Sequence, residues 1–349
     1  MSTSGVGGAV ASGAATVPPA ALLEVQDLRT LFFRRGPFGI VRRSDYVAAV
    51  DGVSFSVAEG ETLGVVGESG CGKTTLGRTI LRLQPATSGS VHYRGGDVLA
   101  LSGEALRKKR REMQMIFQDL DAALNPKMRV GELLAEALTL HARLTREEIR
   151  ARSVELLDRV KLKPAKLTAL PPELSGGEKR RVSIARVLAV EPQLIVADEP
   201  LSALDVSIAA QVANLMRDLQ ESLQLTYLFI SHDLRMVELI AHRVIVMYLG
   251  QVGELAPAGA LAALPAHPYS RLLWSAVDPY TGMRMETGDG ERWELSEGDR
   301  PRTGCRFRDR CPVYHAKGQP ALCADADSEP RLRELAPGRQ VACHFPLGS

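Results

Sequence analysis

The segment from Gly67 to Thr75 constrains the fold of this chain more than any other part of the sequence. Its pattern, Gly67-x-x-x-x-Gly72-Lys73-Thr74, follows an apolar run from Glu61 to Val66 and precedes a helical stretch from Leu76 to Leu83. Glycines let consecutive backbone N–H groups curve around phosphate oxygens, and the N-terminus of the next helix adds partial positive charge. We therefore predict a nucleotide-binding loop made of Gly67, Glu68, Ser69, Gly70, Cys71, Gly72, Lys73, Thr74 and Thr75.

Three side chains of this phosphate loop have chemistry of their own. Lys73 is expected to reach the β- and γ-phosphates, and the Thr74 hydroxyl is expected to ligate Mg²⁺. Cys71 is either a small tolerated residue or a redox-active thiol, and we expect the first.

Two acidic residues follow a second apolar run, Leu194 to Ala197, which predicts a buried central strand. A carboxylate at such a strand end can hold Mg²⁺, and we assign this role to Asp198. Glu199 can orient or deprotonate the attacking water, which would make it a catalytic residue. The alternative is that both acids cap the helix that follows.

His232 comes just after a third apolar run, Thr226 to Ile230. Ligands bind at the carboxyl ends of parallel strands, where this histidine is placed. Beside the phosphate loop and the acidic pair, it is predicted to sense the γ-phosphate.

Strand and helix patterns alternate along the first 250 residues or so. Helical periodicity extends over about 102–190, interrupted by prolines, and returns over 208–223. This alternation predicts an α/β fold with a mostly parallel sheet and helices on both faces. The predicted strands are 22–28, 47–57, 61–66, 194–197, 226–230 and 243–247.

Composition and charge exclude several classes of protein. The chain is 45% hydrophobic and 24% charged, as globular proteins are. With 43 Lys and Arg against 41 Asp and Glu, it has no charge excess for coating nucleic acid.

The basic run 107–111 is predicted to be a solvated helix face. Residues 1–20, rich in Gly, Ala, Ser and Thr, are predicted to form a disordered tail without a secretory signal.

The sequence Leu174-Ser175-Gly176-Gly177-Glu178 lies between the phosphate loop and the acidic pair. In this order the motifs resemble those of the nucleotide-binding subunit of an ABC transporter, over roughly residues 22 to 255. The resemblance implies a P-loop NTPase core of the RecA-like type with an antiparallel β subdomain. It also implies a helical subdomain, about 102–190, that carries the signature.

The resemblance assigns roles to further residues. Gln118 is implied to link Mg²⁺ to the membrane subunit, as a catalytic residue and a metal ligand, and His232 to be the switch histidine. Phe32 is implied to stack on adenine, with Phe33 and Tyr46 as alternatives. The residues implied to close on ATP held by the opposite subunit are Ser175, Gly176 and Gly177.

One position departs from the family pattern, because the signature usually ends in Gln and here ends in Glu178. The family contacts phosphate mainly through the Ser hydroxyl and Gly backbone, so the change is either harmless or weakens ATP at that site through a carboxylate near the γ-phosphate. Both interpretations stay open.

Local phrases resemble the dipeptide/oligopeptide importer group, and its second ATPase most. They are 64–73, 124–128, 198–207 and the C-terminal stretches His267-Pro268-Tyr269-Ser270, Gly304-Cys305 and Cys311-Pro312. The resemblance implies the ATP-hydrolysing motor of an importer on the cytoplasmic face of the membrane. Its implied partners are a paralogous ATPase, two permease subunits and an extracytoplasmic substrate-binding protein, with no nucleic acid. Peptides are favoured over nickel chelates or sugars as cargo.

Two other function classes are weighed against the importer. The first is a soluble ABC ATPase acting on nucleic acid or ribosomes, but such proteins commonly carry two cassettes or a long coiled-coil insertion. This chain has one cassette, with an ordinary helical stretch between Gln118 and Ser175. The second, a small-molecule kinase, would have no use for the signature.

Residues 256–349 are predicted to form a C-terminal module after an ATPase domain of residues 21–255. The module is either docked on that domain or joined to it by a linker. It contains four cysteines. Their spacing is wider than in common zinc knuckles, and few aliphatic residues surround them. We predict a [4Fe–4S] cluster, with a zinc site including His315 or His344 and four free thiols as alternatives. The predicted cluster ligands are Cys305, Cys311, Cys323 and Cys343.

Overall fold

The computed structural model describes residues 21–35, 41–119, 123–140, 143–277 and 303–348. The predicted tail, residues 1–20, lies outside the described residues. The strands are β1 (Ala21–Arg35), β2 (Val41–Ala58), β3 (Thr62–Val66), β4 (Ser88–Tyr93), β5 (Gly96–Asp97), β6 (Met113–Ile116), β7 (Leu194–Asp198), β8 (Thr226–Ile230), β9 (Arg243–Tyr248), β10 (Gln251–Pro257), β11 (Arg333–Ala336) and β12 (Arg339–Val341). The helices are α1 (Lys73–Ile80), α2 (Gly103–Glu112), α3 (Val130–Thr139), α4 (Arg146–Arg159), α5 (Gly176–Leu188), α6 (Val206–Leu223), α7 (Leu234–Ile240), α8 (Ala258–Ala263), α9 (Pro268–Val277), α10 (Pro312–Ala316) and α11 (Ala321–Ala324).

The central sheet has the strand order β11-β12-β10-β9-β3-β8-β7-β6. The five strands from β9 to β6 pair in parallel, and β10, β12 and β11 continue the sheet antiparallel. Every residue of β3, β7 and β8 is buried. Burial on both faces explains why these strands are continuous apolar runs in the sequence. The predicted mostly parallel α/β sheet is confirmed.

Alternate side chains of each buried strand enter two different cores. In β8, Leu228 and Ile230 pack in the core shared with α1 and the second sheet. Tyr227 and Phe229 point the other way, into the core shared with the helices that follow α2. The period of two along a strand therefore places one layer on each face of the central sheet.

The second sheet is antiparallel, with the strand order β2-β1-β4-β5. Its apolar side chains cover α1, whose Leu76 and Ile80 are fully buried. This confirms the antiparallel β subdomain that the family resemblance implies. β4 was missed by the pattern analysis, because a six-residue strand that is exposed at one end has only a weak alternation.

The stretch predicted to be helical, about 102–190, includes one strand. β6 pairs in parallel with β7 at the edge of the central sheet, within this stretch. Four residues are too few to show a period of two, so neighbouring helical patterns obscured the strand. The prolines do break helices, since Pro164 and Pro171 each begin a short 3₁₀ turn. Helix α1 also starts earlier than predicted, at Lys73, directly from the phosphate loop.

The C-terminal residues 303–348 pack on the ATPase core. β12 pairs with β10, with Val341 opposite Glu254, and Phe307 is buried in the same core as α3 to α7. The predicted boundary after residue 255 falls inside β10. Of the two arrangements that the sequence left open, the described residues form the docked one.

A buried ion pair joins the C-terminal hairpin to the core, and its removal is expected to destabilise the protein. Glu254 is fully buried, accepts hydrogen bonds from the backbone N–H groups of Ala266 and His267, and lies 3.1 Å from Arg339 Nη2. Arg339→Leu leaves a buried carboxylate without its cation. We expect a loss of about 3 kcal/mol of unfolding free energy, measured by chemical denaturation. The double variant with Glu254→Gln should recover part of that loss.

The exposed Arg331 is the matched control for this prediction. Arg331→Leu should change the unfolding midpoint little, because a surface side chain loses no buried partner. Equal effects of the two arginine substitutions would contradict a special role for the Glu254–Arg339 pair.

Candidate functional site

The phosphate loop connects β3 to α1 through backbone conformations that favour glycine. Gly67 and Gly72 have φ angles of +150° and +111°. A Cβ at Gly67 would overlap the carbonyl oxygen of Met247, and one at Gly72 would overlap that of Ala49. Both glycines are therefore required, because β9 and β2 pass directly behind the loop.

Lys73 lies where the loop becomes α1, and its side chain is buried. Its Nζ donates to the carbonyl oxygens of Gly67 at 2.8 Å and Glu68 at 2.9 Å. Helix α1 has no side-chain N-cap and no acidic residue in its first turn, so the partial positive charge of its N-terminus is not offset within the helix. An ammonium group, glycine-rich backbone and a helix N-terminus together suit a phosphate group.

Asp198 ends β7 beside the phosphate loop, where it is almost completely buried. Its Oδ1 accepts a hydrogen bond of 2.8 Å from the Thr74 hydroxyl, and burial raises the pKa of its carboxyl group. Its Oδ2 is also buried and has no hydrogen-bond partner within the described structure. A buried carboxylate oxygen without a donor, next to a hydroxyl, is a fitting place for Mg²⁺.

Glu199 contacts both of the other residues predicted to be catalytic. Its Oε1 lies 3.1 Å from His232 Nδ1, and its Oε2 accepts a hydrogen bond of 3.1 Å from Gln118 Nε2. Glu199 itself has a left-handed φ of +46°, and its N–H donates to Ile230 O at 2.9 Å. The carboxylate is therefore held between two side chains that come from neighbouring strands.

The strand order explains why these residues meet. The phosphate loop follows β3, His232 follows β8, and Gln118 follows β6. Asp198 is the last residue of β7, and Glu199 comes directly after it. These four strands are adjacent and parallel in the order β3-β8-β7-β6. Their carboxyl ends form one edge of the sheet, which is the ligand-binding edge of such folds.

The aromatic residues considered for adenine lie on the β1–β2 ribbon. The side chains of Phe32, Phe33 and Tyr46 are all exposed. Phe33 pairs with Tyr46 across the two strands with ring centroids 6.1 Å apart, whereas Phe32 pairs with Val47. The ribbon continues to Ala49, which backs the phosphate loop. Adenine stacking on Phe32 stays a prediction.

The signature serine, Ser175, is the N-cap of α5. Its hydroxyl accepts from the Glu178 N–H at 3.3 Å, while the Glu178 carboxylate accepts from the Ser175 N–H at 3.0 Å. Lys166 Nζ lies 2.7 Å from the same carboxylate and lowers its pKa. The departure from the family pattern thus forms a capping box whose charge is offset by a lysine.

Sequence analysis missed a buried arginine that joins the signature to Gln118. Arg180 on α5 is 1% exposed and donates to the carbonyl oxygens of Phe117 at 2.8 Å and Gln118 at 3.3 Å. Burial lowers its pKa to about 10. Its neighbours in sequence, Lys179 and Arg181, make the stretch resemble a solvated basic face, so nothing in the sequence distinguishes it.

Of the four C-terminal cysteines, Cys305, Cys311 and Cys323 are buried and Cys343 is half-buried. The Cys305 N–H donates to the Cys323 carbonyl oxygen at 2.9 Å. Burial raises the pKa of all four thiols, to about 11 for Cys305 and about 12 for Cys343. Within the described ranges, however, no group of three or more His, Cys, Asp or Glu residues is arranged to hold a metal ion. The iron–sulfur prediction therefore gains no support from metal-site geometry and stays a prediction.

The other cysteine, Cys71, is buried inside the phosphate loop. Its Sγ lies 3.7 Å from Lys73 Nζ, and burial raises the pKa of its thiol. A thiol that is protonated and shielded is a poor redox group, which agrees with the expectation of a small tolerated residue.

Among the helices of the described ranges, none combines the length and apolar character needed to cross a membrane.

The chain matches two family descriptions in tandem. Residues 50–202 match the ABC transporter family, and residues 254–317 match the oligopeptide/dipeptide transporter C-terminal region. Among solved structures, it is similar to the dimeric ATP-binding cassette MJ0796 bound to ADP and Pi, at 27% identity and a TM-score of 0.60 over 68% of this chain and 98% of that one. It is also similar to cbiO1 of Clostridium perfringens, at 27% identity and a TM-score of 0.61 over 70% of this chain and 91% of that one.

Similarity to two curated relatives extends over nearly the whole chain. The oligopeptide transport ATP-binding protein AppF of Bacillus subtilis is 46% identical over 93% of this chain and 97% of its own length. The oligopeptide transport ATP-binding protein OppF of Salmonella typhimurium is 45% identical over 84% of this chain and 89% of its own length. With the cassette fold and the assembled phosphate site, these matches establish that the chain belongs to the ATP-binding subunits of ABC transporters that carry the oligopeptide/dipeptide transporter C-terminal region.

Proposed function

We propose that this chain is the ATP-hydrolysing motor subunit of a membrane importer for dipeptides or oligopeptides. The observation that carries the proposal is the meeting of Asp198, Glu199, His232 and Gln118 beside the phosphate loop, on one edge of the central sheet. The match of residues 254–317 to an oligopeptide transporter region favours peptide cargo over other solutes.

In the proposed mechanism, the phosphate loop and Lys73 bind the β- and γ-phosphates of ATP. Thr74, Asp198 and Gln118 would hold Mg²⁺, which supplies positive charge to the phosphate oxygens. Glu199 accepts the proton of the attacking water. His232 contacts Glu199 through Nδ1, and we assign contact with the γ-phosphate to its other ring nitrogen, Nε2.

The signature acts, in this proposal, on ATP held by a second cassette, supplied by a paralogous ATPase. Ser175, Gly176 and Gly177 form a helix N-terminus, which is a second anion site. Because Lys166 and the Ser175 N–H already engage the Glu178 carboxylate, we propose that Glu178 does not repel the γ-phosphate. A dimeric arrangement is described for the similar cassette MJ0796.

We propose that the chain couples to two permease subunits through the segment from Gln118 to Met128, on the cytoplasmic face of the membrane. Phe117 exposes a large apolar side chain there, while its carbonyl is held by Arg180 of the signature helix. Arg180 is buried on the signature helix and contacts the backbone just before the coupling segment. Movement at the nucleotide can therefore be transmitted to that segment as rigid-body rotation. An extracytoplasmic substrate-binding protein would deliver the peptide.

The described surface gives no specific support to the rival function on nucleic acid or ribosomes. The basic run lies on α2, none of whose residues is buried. Lys108 pairs with Glu104 at 3.4 Å and Lys109 with Glu112 at 3.1 Å. Acidic partners on the same helix make this a solvated helix face rather than a phosphate-binding stripe.

We also propose that Cys305, Cys311, Cys323 and Cys343 ligate a [4Fe–4S] cluster. Four thiolates suit either a cluster or zinc. The histidines of the zinc alternative have other contacts, since His315 Nε2 lies 3.0 Å from Asp309 O and His344 Nε2 lies 2.7 Å from Ser328 O. A zinc-bound histidine makes contacts of this kind through its second ring nitrogen, so they do not separate zinc from a cluster. The proposal rests on the four cysteines and on their spacing, which is wider than in common zinc knuckles.

Glu199→Gln is expected to retain ATP binding and to lose turnover by about 10²- to 10⁴-fold, because the water loses its base while Lys73 remains. The measurement is ATP hydrolysis, beside nucleotide binding, with the paralogous ATPase present. Lys73→Ala should instead weaken binding itself. Glu155→Gln, at an exposed position of α4, is the control and should hydrolyse normally. Wild-type turnover in the Glu199 variant would show that another group is the base.

Lys127→Glu or Asp119→Lys is expected to reduce peptide uptake by cells several-fold more than basal ATPase activity, because both exposed residues lie in the proposed coupling segment. Lys163→Glu, an equally exposed charge reversal elsewhere in the helical region, should leave uptake near the wild-type level. Equal losses of uptake and ATPase in a folded protein would argue against this placement.

Protein purified without oxygen is expected to be brown and to contain iron and acid-labile sulfide in near-equal amounts. Cys311→Ser should bleach it, whereas Cys71→Ser, which changes a cysteine in the phosphate loop, should leave the iron content unchanged. Colourless protein with one zinc per chain would refute the cluster and support a zinc site.

A further inference from the structure

Two side chains from the C-terminal part of the chain contact Glu68 of the phosphate loop. The Tyr269 hydroxyl accepts a hydrogen bond of 2.9 Å from the Glu68 N–H. The Arg310 guanidinium donates to both carboxylate oxygens of Glu68, at 2.7 and 2.8 Å. Two parallel N–H···O bonds fix the orientation of a carboxylate as well as its position.

Hydrogen bonds made by His267 position Tyr269, whose hydroxyl contacts the phosphate loop. Glu254 of β10 accepts the His267 N–H at 2.8 Å. His267 in turn caps α9, since its Nδ1 accepts the Tyr269 N–H and its carbonyl accepts the Arg271 N–H, each at 3.0 Å. Burial lowers the pKa of His267 to about 4, so this nitrogen remains an acceptor at neutral pH.

Arg310 is held in place by aromatic rings on the way to Glu68. Its guanidinium lies 5.7 Å from the ring centroid of Tyr248 and 5.9 Å from that of Phe307. The Tyr269 ring packs on the same two residues, at 4.6 Å from Tyr248 and 5.3 Å from Phe307. Rigid aromatic neighbours reduce the conformational freedom that the arginine loses on pairing.

Glu68 is therefore held on three sides. Tyr269 engages its N–H, Arg310 engages its carboxylate, and Lys73 donates to its carbonyl oxygen at 2.9 Å. A shift of Glu68 would move the carbonyl that positions the Lys73 ammonium group. One residue thus connects the C-terminal segment to the lysine that binds phosphate.

We propose that Tyr269 and Arg310 are positioning residues of the phosphate loop, so that affinity for ATP depends on the C-terminal segment being in place. The proposal rests on the ATP site proposed above and extends it to residues outside the cassette motifs. In this proposal the C-terminal part of the chain orients the nucleotide site, in addition to any metal that its cysteines bind.

Other contacts attach the segment to the core independently of Arg310. Arg306 pairs with Asp51 and donates to Leu249 O at 2.6 Å, and β12 pairs with β10. A variant at Arg310 should therefore stay docked. This separates positioning of the loop from simple attachment of the segment.

The test is the dissociation constant of a fluorescent ATP analogue, MANT-ATP, measured with Mg²⁺ on the full chain. Arg310→Gln and Glu68→Gln should each raise it about 5- to 20-fold, in the range of typical coupling between sites. The double variant should be no weaker than the weaker single variant, because both remove one interaction. Tyr269→Phe, which keeps the ring and removes only the hydroxyl, should weaken binding by a smaller factor, and Arg310→Lys should recover part of the affinity.

Arg308→Gln is the matched control, since Arg308 lies on the same 3₁₀ turn but donates to Thr303 O rather than to the loop. It should bind MANT-ATP as the wild type does. In hydrolysis assays with the paralogous ATPase, Arg310→Gln should raise KM for ATP with kcat nearly unchanged.

Three outcomes would overturn the positioning role: a wild-type dissociation constant for Arg310→Gln, equal effects of Arg308→Gln, or single effects that multiply in the double variant. The proposed ATP site fails separately, if wild-type protein does not bind MANT-ATP or if Lys73→Ala binds it unchanged. An unfolding midpoint for Arg310→Gln equal to that of the wild type shows that any loss of affinity is not loss of the fold.

Discussion

The parallel pairing of β3, β8, β7 and β6 is the constraint on which the rest of the site depends. It aligns Asp198 opposite Ile230, and the next N–H, that of Glu199, donates to the Ile230 carbonyl. A slip of one residue would turn every side chain of β7 to the other face of the sheet. Because both faces are packed against apolar cores, that slip is prevented, and the carboxylates stay at the edge.

The two acids of this edge are held at an energetic cost. Asp198 has one buried oxygen without a donor, and burial raises its pKa. Glu199 adopts a left-handed backbone conformation, which costs about 1–3 kcal/mol for a residue other than glycine. The surrounding strands impose both features, as expected where a fold prepares a site for a cation and a reacting water.

Contacts beyond the cassette motifs connect the site to the rest of the chain. Arg180 joins the signature helix to the backbone at Gln118, and Arg310 joins the C-terminal segment to Glu68. Arg180 is buried, Arg310 packs against the Tyr248 and Phe307 rings, and each arginine forms at least two hydrogen bonds, which hold its partner in a defined position. The nucleotide edge is thereby linked to the helical region on one side and to the C-terminal segment on the other.

The phosphate loop, the acidic pair, the histidine and the α/β class could be predicted from the amino-acid sequence, because each depends on a local pattern: glycine spacing, or polar residues directly after an apolar run. The distant residues that support them become visible in the folded chain. Nothing local marks Arg180, Lys166 or Arg310 as different from surface charges, since their partners are chosen by burial and packing across long sequence separations. The four-residue β6 and the docking of residues 303–348 depended likewise on pairing with strands far away in the chain.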